Sequence, residues 1–474
     1  MTTTAPHPTD PGAPLLSPHA VPTRPPVRRR WWPDAVGSFT WVTCLVVVAL
    51  WVSGGGVQAL GGSAADVWSA VGRLMGLVAS NLLLLQVLGM ARIPWAERAF
   101  GQDRLARWHR WVGFSSFHLM LAHVVAITVG YALGSGTGLV AQFVDMVLTY
   151  PGMLLALAGT VLLVMVVATS LRAARRRLRY ESWHLLHLYA YLGAGLALPH
   201  QLWTGTDFVS SPWARAYWWT LYGAALGAVV LFRLVLPWRA SVRHALRVVA
   251  VVPDVDDTIH VWLTGRRLGA LRIAPGQFLV LRFLTGPGWT RAHPLSLSAA
   301  PNDQFLRVTV GVRGDDGARL AAMRPGTRVL FEGPYGRLTP QALTRPGVTA
   351  LTAGTGVAPA LSLLDGRRRP GDVLVHRTHA AQPGPLGDEL TDRVRHGLVY
   401  VPLPGARGAA GTAWLPAAHA GIPGPTALAM LSPAIREHDV VVCGPGPWTD
   451  AVLADLRALG LPPDAIHVER YDWE

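Results

Sequence analysis

Between residues 35 and 238 the chain carries six apolar runs, at about 36–57, 67–93, 108–132, 148–171, 182–204 and 214–237, each close to the 20 residues a helix needs to cross a bilayer. Inside hydrocarbon every backbone N–H and C=O must find its partner within the chain, so continuous apolar runs of this length dictate helices. Charged residues make up only 15% of the sequence and hydrophobic ones 51%, where a soluble protein holds roughly 25% charged. That deficit is confined to the first half. From residue 240 onward short alternating segments, turns and charges read as a soluble protein. Cys44 and Cys443 are the only cysteines, which excludes a disulfide framework and a cysteine metal site.

Charge orients the runs. Arg24, Arg28, Arg29 and Arg30 precede the first. Arg92, Arg98, Arg104 and Arg107 follow the second, and Arg172, Arg175, Arg176, Arg177 and Arg179 follow the fourth. The links "SGGGVQALGGSAAD" and "GYALGSGTGLVAQFVDMVLTY" hold no Lys or Arg, and the link before the sixth run holds only Arg215. The positive-inside rule then predicts a multi-pass protein of the cell membrane with both termini cytoplasmic. Residues 1–33, rich in Pro, Thr and Ala, are expected to form a disordered cytoplasmic tail and show no signal-peptide pattern. Much of the net charge of +14 belongs to these anchors, so no nucleic-acid partner is expected. Arg73 is the exception, near the outer end of the second run.

Two runs contain histidines, which are costly in a membrane unless they meet a partner, a cavity or a cofactor. "RWHRWVGFSSFHLMLAHVV" supplies His109, His118 and His123; "YESWHLLHLYAYLGAGLALPHQLW" supplies His184, His187 and His200. His109 to His123 and His187 to His200 each rise about 20 Å, giving two matched tiers. Opposed neutral imidazoles at two depths suit two haems, each with iron clamped between two histidines. The first pair differs by about 40° around its helix and the second by about 140°, so a distortion is expected near Pro199, Gly193 and Gly195. Interhelical hydrogen bonding is the alternative for the four, and is the favoured role for His118 and His184.

In the second half, "PGQFLVLRF", "RAHPLSLSAAP", "FLRVTVGVRGDDGARL" and "FEGPYGRL" read as short strands of a small antiparallel barrel. "VTALTAGTGVAPALSLL" reads as strand, Gly-rich turn and helix, a place where backbone N–H groups can meet a phosphate, though a tight turn alone explains it equally well. With the strands "DVLVHRTHA" and "DVVVCGPGPW" it implies a parallel α/β domain.

Taken in order, "YESWHLLH" with a histidine thirteen residues on, "HPLSLSAAP", "GPYG", "GTGVAP" and "CGPGP" resemble the NADPH oxidase and ferric reductase family of transmembrane flavohaem proteins, whose second half is similar to ferredoxin–NADP reductases. The resemblance implies an α-helical six-span bundle with a cytoplasmic β-barrel flavin domain and an α/β nucleotide-binding domain: tail 1–33, di-haem domain 34–239, FAD domain 240–343 and NAD(P) domain 344–474. It implies FAD, two b-type haems held by His109, His123, His187 and His200, and NADPH or NADH on the cytoplasmic side. His293, Pro294, Leu295 and Ser296 would line the flavin ring, and Val310, Val312 and Gly317 would lie along its ribityl and pyrophosphate part. Gly311 and Gly317 depart from the family pattern, which commonly has a basic residue and a threonine there. Gly354, Thr355, Gly356 and Pro359 would cradle the nucleotide pyrophosphate, and Cys443, Gly444 and Pro445 would border the nicotinamide. Ser296, Cys443 and Trp473 would stand closest to the hydride transfer, Trp473 covering the flavin.

Arg377, after "DVLVH", would meet a 2′-phosphate and favour NADPH, or stand as a solvated charge. Because a hydride carries two electrons and a haem iron takes one, the flavin stands between them. The acceptor outside is a ferric chelate, dioxygen or another small acceptor; a superoxide-generating oxidase and an electron-transfer subunit serving a partner protein are the alternatives. Arg73 would sit beside that acceptor, pair with a haem propionate or snorkel outward.

Overall fold

The computed structural model describes residues 32–175, 177–178, 180–209, 211–286, 288–312, 314–379, 385–406 and 414–471. Most of the expected tail, and Trp473, lie outside the described residues. Two compact units divide at Val235.

The first unit is helical: α1 Trp32–Ser53, α2 Ala64–Met90, α3 Gln102–Ser135, α4 Leu139–Thr149, α5 Met153–Ser170, α6 Tyr180–Trp203 and α7 Pro212–Val229. Among the described residues five helical stretches are long and apolar enough to cross a membrane, and α6, with its three histidines, is not one of the five. The helices begin where local chemistry says they should. Ser63 caps α2 by accepting from Asp66 N, while the Asp66 carboxylate accepts from Ser63 N at 2.9 Å. Pro212 opens α7, where its missing N–H costs nothing, behind a Ser211 cap.

α2 packs along α3, and α5 along α6. Glycine permits the second contact. A side chain at Gly159 would meet Gly193 O at 2.6 Å, and one at Gly193 would meet Gly159 O at 3.0 Å, so the two backbones touch directly. Trp51, Leu77, Leu84, Trp218 and Leu221 fill the core between α1, α2 and α7, and Trp51 donates its indole N–H to Ala70 O at 2.9 Å. Outward, the helices expose apolar side chains such as Val140, Leu148 and Leu185, as lipid-facing surfaces do.

The second unit opens with α8 Leu236–His244, which continues α7 after a π-helical turn, Val230–Val235. Two three-stranded antiparallel sheets follow, one ordered β1 Arg247–Asp254, β2 Thr258–Thr264, β5 Leu306–Gly311, the other β4 His293–Ser296, β3 Phe278–Phe283, β6 Val329–Tyr335. Isolated bridges Arg247↔Arg328 and Leu297↔Val308 join them at both edges. Alternating residues of both sheets, among them Val261, Leu281, Phe283, Val308 and Phe331, bury one shared core. The chain then builds a five-stranded parallel sheet ordered β11 Ile466–Tyr471, β10 His438–Pro445, β7 Gly347–Ala353, β8 Val373–Thr378, β9 Val399–Pro404. Its central strands are continuously apolar, as strands covered on both faces require. The order reverses at β7, where ligands of such sheets bind.

Candidate functional site

In the helical unit, α3 and α6 bring His109 and His187 together with ring centroids 5.8 Å apart and planes 68° from parallel. Trp183 packs against His187 at 5.1 Å, and Ser170 Oγ lies 3.3 Å from His187 Nδ1 while accepting from Trp183 Nε1 at 3.2 Å. His123 Nδ1 lies 2.8 Å from Gly72 O on α2. Gly76 makes room for that ring, because a side chain there would meet it at 2.6 Å. His200 lies within electrostatic range of His123. At the expected distortion Pro199 sits inside α6, and Gly152 brings the chain before α5 so close that a Cβ would meet His200 N at 2.8 Å. His109 and His200 each keep a buried Nδ1 with no hydrogen-bond partner among the described residues.

Among the described residues no three or more His, Cys, Asp or Glu side chains converge to hold a bare metal ion. Paired imidazoles fit instead an iron that arrives with its own four equatorial nitrogens, as a haem does. His118 bonds its own helix at Phe114 O, 2.7 Å away, where the sequence predicts a bond to a neighbouring helix. Arg73 is 3.4 Å from the buried Asp207, so its partner is a carboxylate of the chain itself.

In the second unit the motifs converge. The turn Gly354–Gly356 joins β7 to the helix α10 Val357–Arg367, α9 being Gly314–Ala321. Gly354 has φ +54, and a side chain at Gly356 would strike the Cys443 carbonyl at the end of β10. A side chain at Gly444 would meet Ala353 and Trp448, so the two glycine motifs lie backbone to backbone. Pro359 is buried in the first turn of α10. Gly311, closing β5, has Thr355 as its nearest neighbour, which brings the flavin-type sheet pair to the same turn.

Gly317 explains its own departure from the family pattern: a Cβ there would meet the Val312 backbone at 2.7 Å, because α9 folds back onto the end of β5. Val310 and Val312 pack against the sheet core, as does Leu295, while Pro294 pairs with Val280. His293 is 3.5 Å from Asp316, which also pairs with Arg291 at 3.2 Å and Arg319 at 2.8 Å. Burial pushes the Asp316 carboxyl up, but Arg319, His293 and Arg291 outweigh it and hold it below its usual range.

Burial pushes the Cys443 thiol well above its usual value, so it is a neutral wall of the site and no nucleophile. Arg377 is buried and donates to the carbonyls of Thr378 and Leu403, the latter at 3.2 Å, so it is not a solvated charge. Two residues went unread in the sequence. Tyr471 ends β11 opposite Pro445 and places its hydroxyl 3.5 Å from Ser296 Oγ. His376, fully buried, lies 3.1 Å from Gly354 O through Nε2, and burial pushes it down to about 4 against the opposing effect of that carbonyl.

Residues 75–198 match the family described as "Ferric reductase like transmembrane component", a segment that contains His109, His123 and His187 and ends two residues before His200. The chain joins a ferric-reductase-like transmembrane segment to a second half that belongs to the ferredoxin reductase family. It is 30% identical, over 48% of its own length and 70% of the relative's, to the ferredoxin–NAD(+) reductase component of an alkene monooxygenase system from Xanthobacter autotrophicus. It is 29% identical, over 48% of its length and 61% of the relative's, to a 3-ketosteroid-9-alpha-monooxygenase ferredoxin reductase component from Mycobacterium tuberculosis. With human NADPH oxidase 3 it shares 27% identity over 29% of its length and 26% of the relative's. Members of this family are oxidoreductases, and the chain is accordingly a membrane-bound electron-transfer oxidoreductase with an FAD- and NAD(P)-binding half.

Proposed function

We propose that the chain is a transmembrane oxidoreductase that takes electrons from cytoplasmic NAD(P)H through FAD and two b-type haems to a small acceptor, a ferric chelate first of all, on the opposite side of the cell membrane. The observation that carries this reading is the facing pair His109 and His187, 5.8 Å apart, within the segment that matches the ferric reductase component. In this reading α6 is a sixth span, both termini are cytoplasmic, and the two linked sheets form the closed barrel of an FAD domain. His109 with His187, and His123 with His200, hold the two irons, with Ser170 and the Gly72 carbonyl fixing the rings of His187 and His123 from behind.

His293 and Ser296 line the flavin ring, Tyr471 stands beside Ser296, Trp473 covers the ring, and Arg291 and Arg319 supply the cations that Gly311 does not. The Gly354–Gly356 turn and the first N–H groups of α10 receive the nucleotide pyrophosphate. FAD, when bound, accepts the two electrons of a hydride and releases them singly. Cys443 and Gly444 close the back of the site and exclude water from it.

On the outer surface the charge of Arg73 is offset by Asp207, which leaves the exposed Arg215 as the cation open to an anionic product. Oriented vesicles holding the full chain, given NADPH on the cytoplasmic face, test the reading: ferrous iron should appear on the far side with and without oxygen. Iron reduction that vanishes on adding superoxide dismutase would make dioxygen the acceptor, and no reduction on the far side would overturn the reading.

A further inference from the structure

The stretch that leaves the membrane is longer than a membrane needs. Pro212–His244 is one helical stretch of 33 residues around an apolar window of 18, about 50 Å, against a hydrocarbon core of about 30 Å. Its last turns, α8, therefore project past the lipid tails. One face of α8 is fixed to the sheet core. Ser241 Oγ accepts from Phe331 N at 3.0 Å and donates to Phe331 O at 3.2 Å, and His244 Nδ1 lies 3.0 Å from Arg266 O while its own carbonyl accepts from Arg266 N at 2.6 Å. The other face is exposed: Trp238 at 66%, Val242 at 59%, with Arg239 and Arg243 beside them.

The sheet edge against which α8 docks carries the same charge. Arg247 pairs with Arg328 in an isolated bridge, Val248 N donates to Thr327 O at 2.9 Å, and the loop after β2 brings in Arg266 and Arg267. All six arginines are exposed. The three segments that meet here, residues 236–253, 264–276 and 324–331, contain no Asp or Glu. The carboxylates that flank these segments are Asp254, paired with His260, and Glu332, paired with Arg282, while Asp303 lies against Gly269 in the loop. Among the described residues no carboxylate pairs with any of the six arginines.

We propose that this face is a docking surface for the anionic lipid headgroups of the membrane from which α8 emerges. A Trp and a Val set among arginines on a helix leaving hydrocarbon is the composition of an interfacial segment, its rings at headgroup depth and its guanidiniums on phosphates. Arg239 and Arg243 alone would be the ordinary anchors of a span. What distinguishes this surface is that Arg247, Arg266, Arg267 and Arg328, borne by the folded sheets, extend the same positive field without an interruption by acid. Six guanidiniums so close repel one another, and anionic headgroups relieve that repulsion. The inference does not depend on the acceptor or on the number of haems.

The test compares hydrogen exchange of the full chain in nanodiscs of neutral phosphatidylcholine and in nanodiscs containing phosphatidylglycerol. Backbone amides of residues 264–273 and 324–329 should exchange at least about threefold more slowly in the anionic discs, and high salt should erase the difference, because the attraction is screened. The variant R266E/R267E/R328E should show no difference between discs. R266Q/R267Q/R328Q should retain less than half of it, which keeps the test open if the reversal fails to fold, and unchanged flavin reduction by NADPH certifies either variant as folded. Equal exchange in both discs for the wild type, or a difference that survives in a folded variant, overturns the proposal. So does equal protection in neutral discs when free glycerophosphate is added, since the surface would then bind any soluble phosphate.

Discussion

In the helical unit, His109 and His200 each carry a buried ring nitrogen with no hydrogen-bond partner among the described residues, whereas in the second unit the buried ring of His376 faces Gly354 O on one side and the Tyr400 hydroxyl on the other. Leaving a polar atom unmet in a low-dielectric interior costs about 1–3 kcal/mol, so an orphan nitrogen among orderly helices marks a place built for something the chain does not itself supply. A ring met on one nitrogen, as His123 is by Gly72 O, still has its other nitrogen to offer, whereas a ring met on both, as in His376, marks scaffold. The glycines divide in the same way. At Gly76 a helix is pared down around the His123 imidazole, while at Gly356 and Gly444 two backbones are brought together so that a turn can present its N–H groups. One half prepares side chains to bind, the other prepares main chain.

That contrast breaks most readily at His200. If its orphan nitrogen belongs to an iron ligand, His200→Ala should lower the haem-to-protein ratio by about half and leave the inner tier loaded, measured by reduced-haem absorbance on purified protein. An unchanged ratio would return His200 to the scaffold class.

Gly356→Val attacks the other half. Its branched side chain meets the Cys443 carbonyl, so the turn must open, and KM for NADPH should rise at least about tenfold, equivalent to 1.4 kcal/mol of binding, with FAD content and haem content unchanged. A KM near that of the wild type would mean that the turn serves the fold alone.

His376 gives the smallest and most diagnostic effect. Its folded value near 4 lies below the roughly 6.5 of an unfolded histidine, so across that window the unfolded chain binds more protons than the folded one. Stability is then fully present above about pH 6.5 and declines as pH falls toward 4, by up to about 3 kcal/mol. His376→Gln keeps a donor for Gly354 O and removes the titration, so thermal melts of the variant should lose that acid slope. A slope that persists would assign the acid sensitivity to another group, and a variant with raised KM for NADPH would show His376 to be positioning the turn.

Much of this was legible in the chain because the constraints were local. The apolar runs, the histidine spacing on α3 and α6, and the order of the glycine motifs each follow from residue type and period, and the helices, the parallel sheet and the meeting of GTG with CGP appear where those signals place them. What stayed hidden depended on distant partners. Nothing near Arg73 in sequence announces Asp207, 134 positions later, or that the pair would cancel a charge. Arg377 follows a strand like a phosphate-binding arginine, yet the carbonyl of Leu403 on the neighbouring strand turns it inward. Gly317 looked like a lost hydroxyl and is a point of backbone contact with Val312. Tyr471 and Trp473 are alike to composition, and only the parallel register of β11 with β10 sets Tyr471 opposite Pro445 and near Ser296.

The crossing of Gly159 with Gly193 carries a consequence for how this protein can change over time. Two backbones in direct contact have no side chain to trade, so any larger residue at either position drives α5 and α6 apart and with them the frame that holds His187 and His200. The surrounding outward positions, Leu185 and Leu192 among them, are exposed and can drift among apolar residues at little cost. A bundle built this way is expected to diverge freely in its sequence while its internal ruler stays fixed, so that distant copies would be recognisable by two glycines and four histidines long after the rest of the helix text has been rewritten.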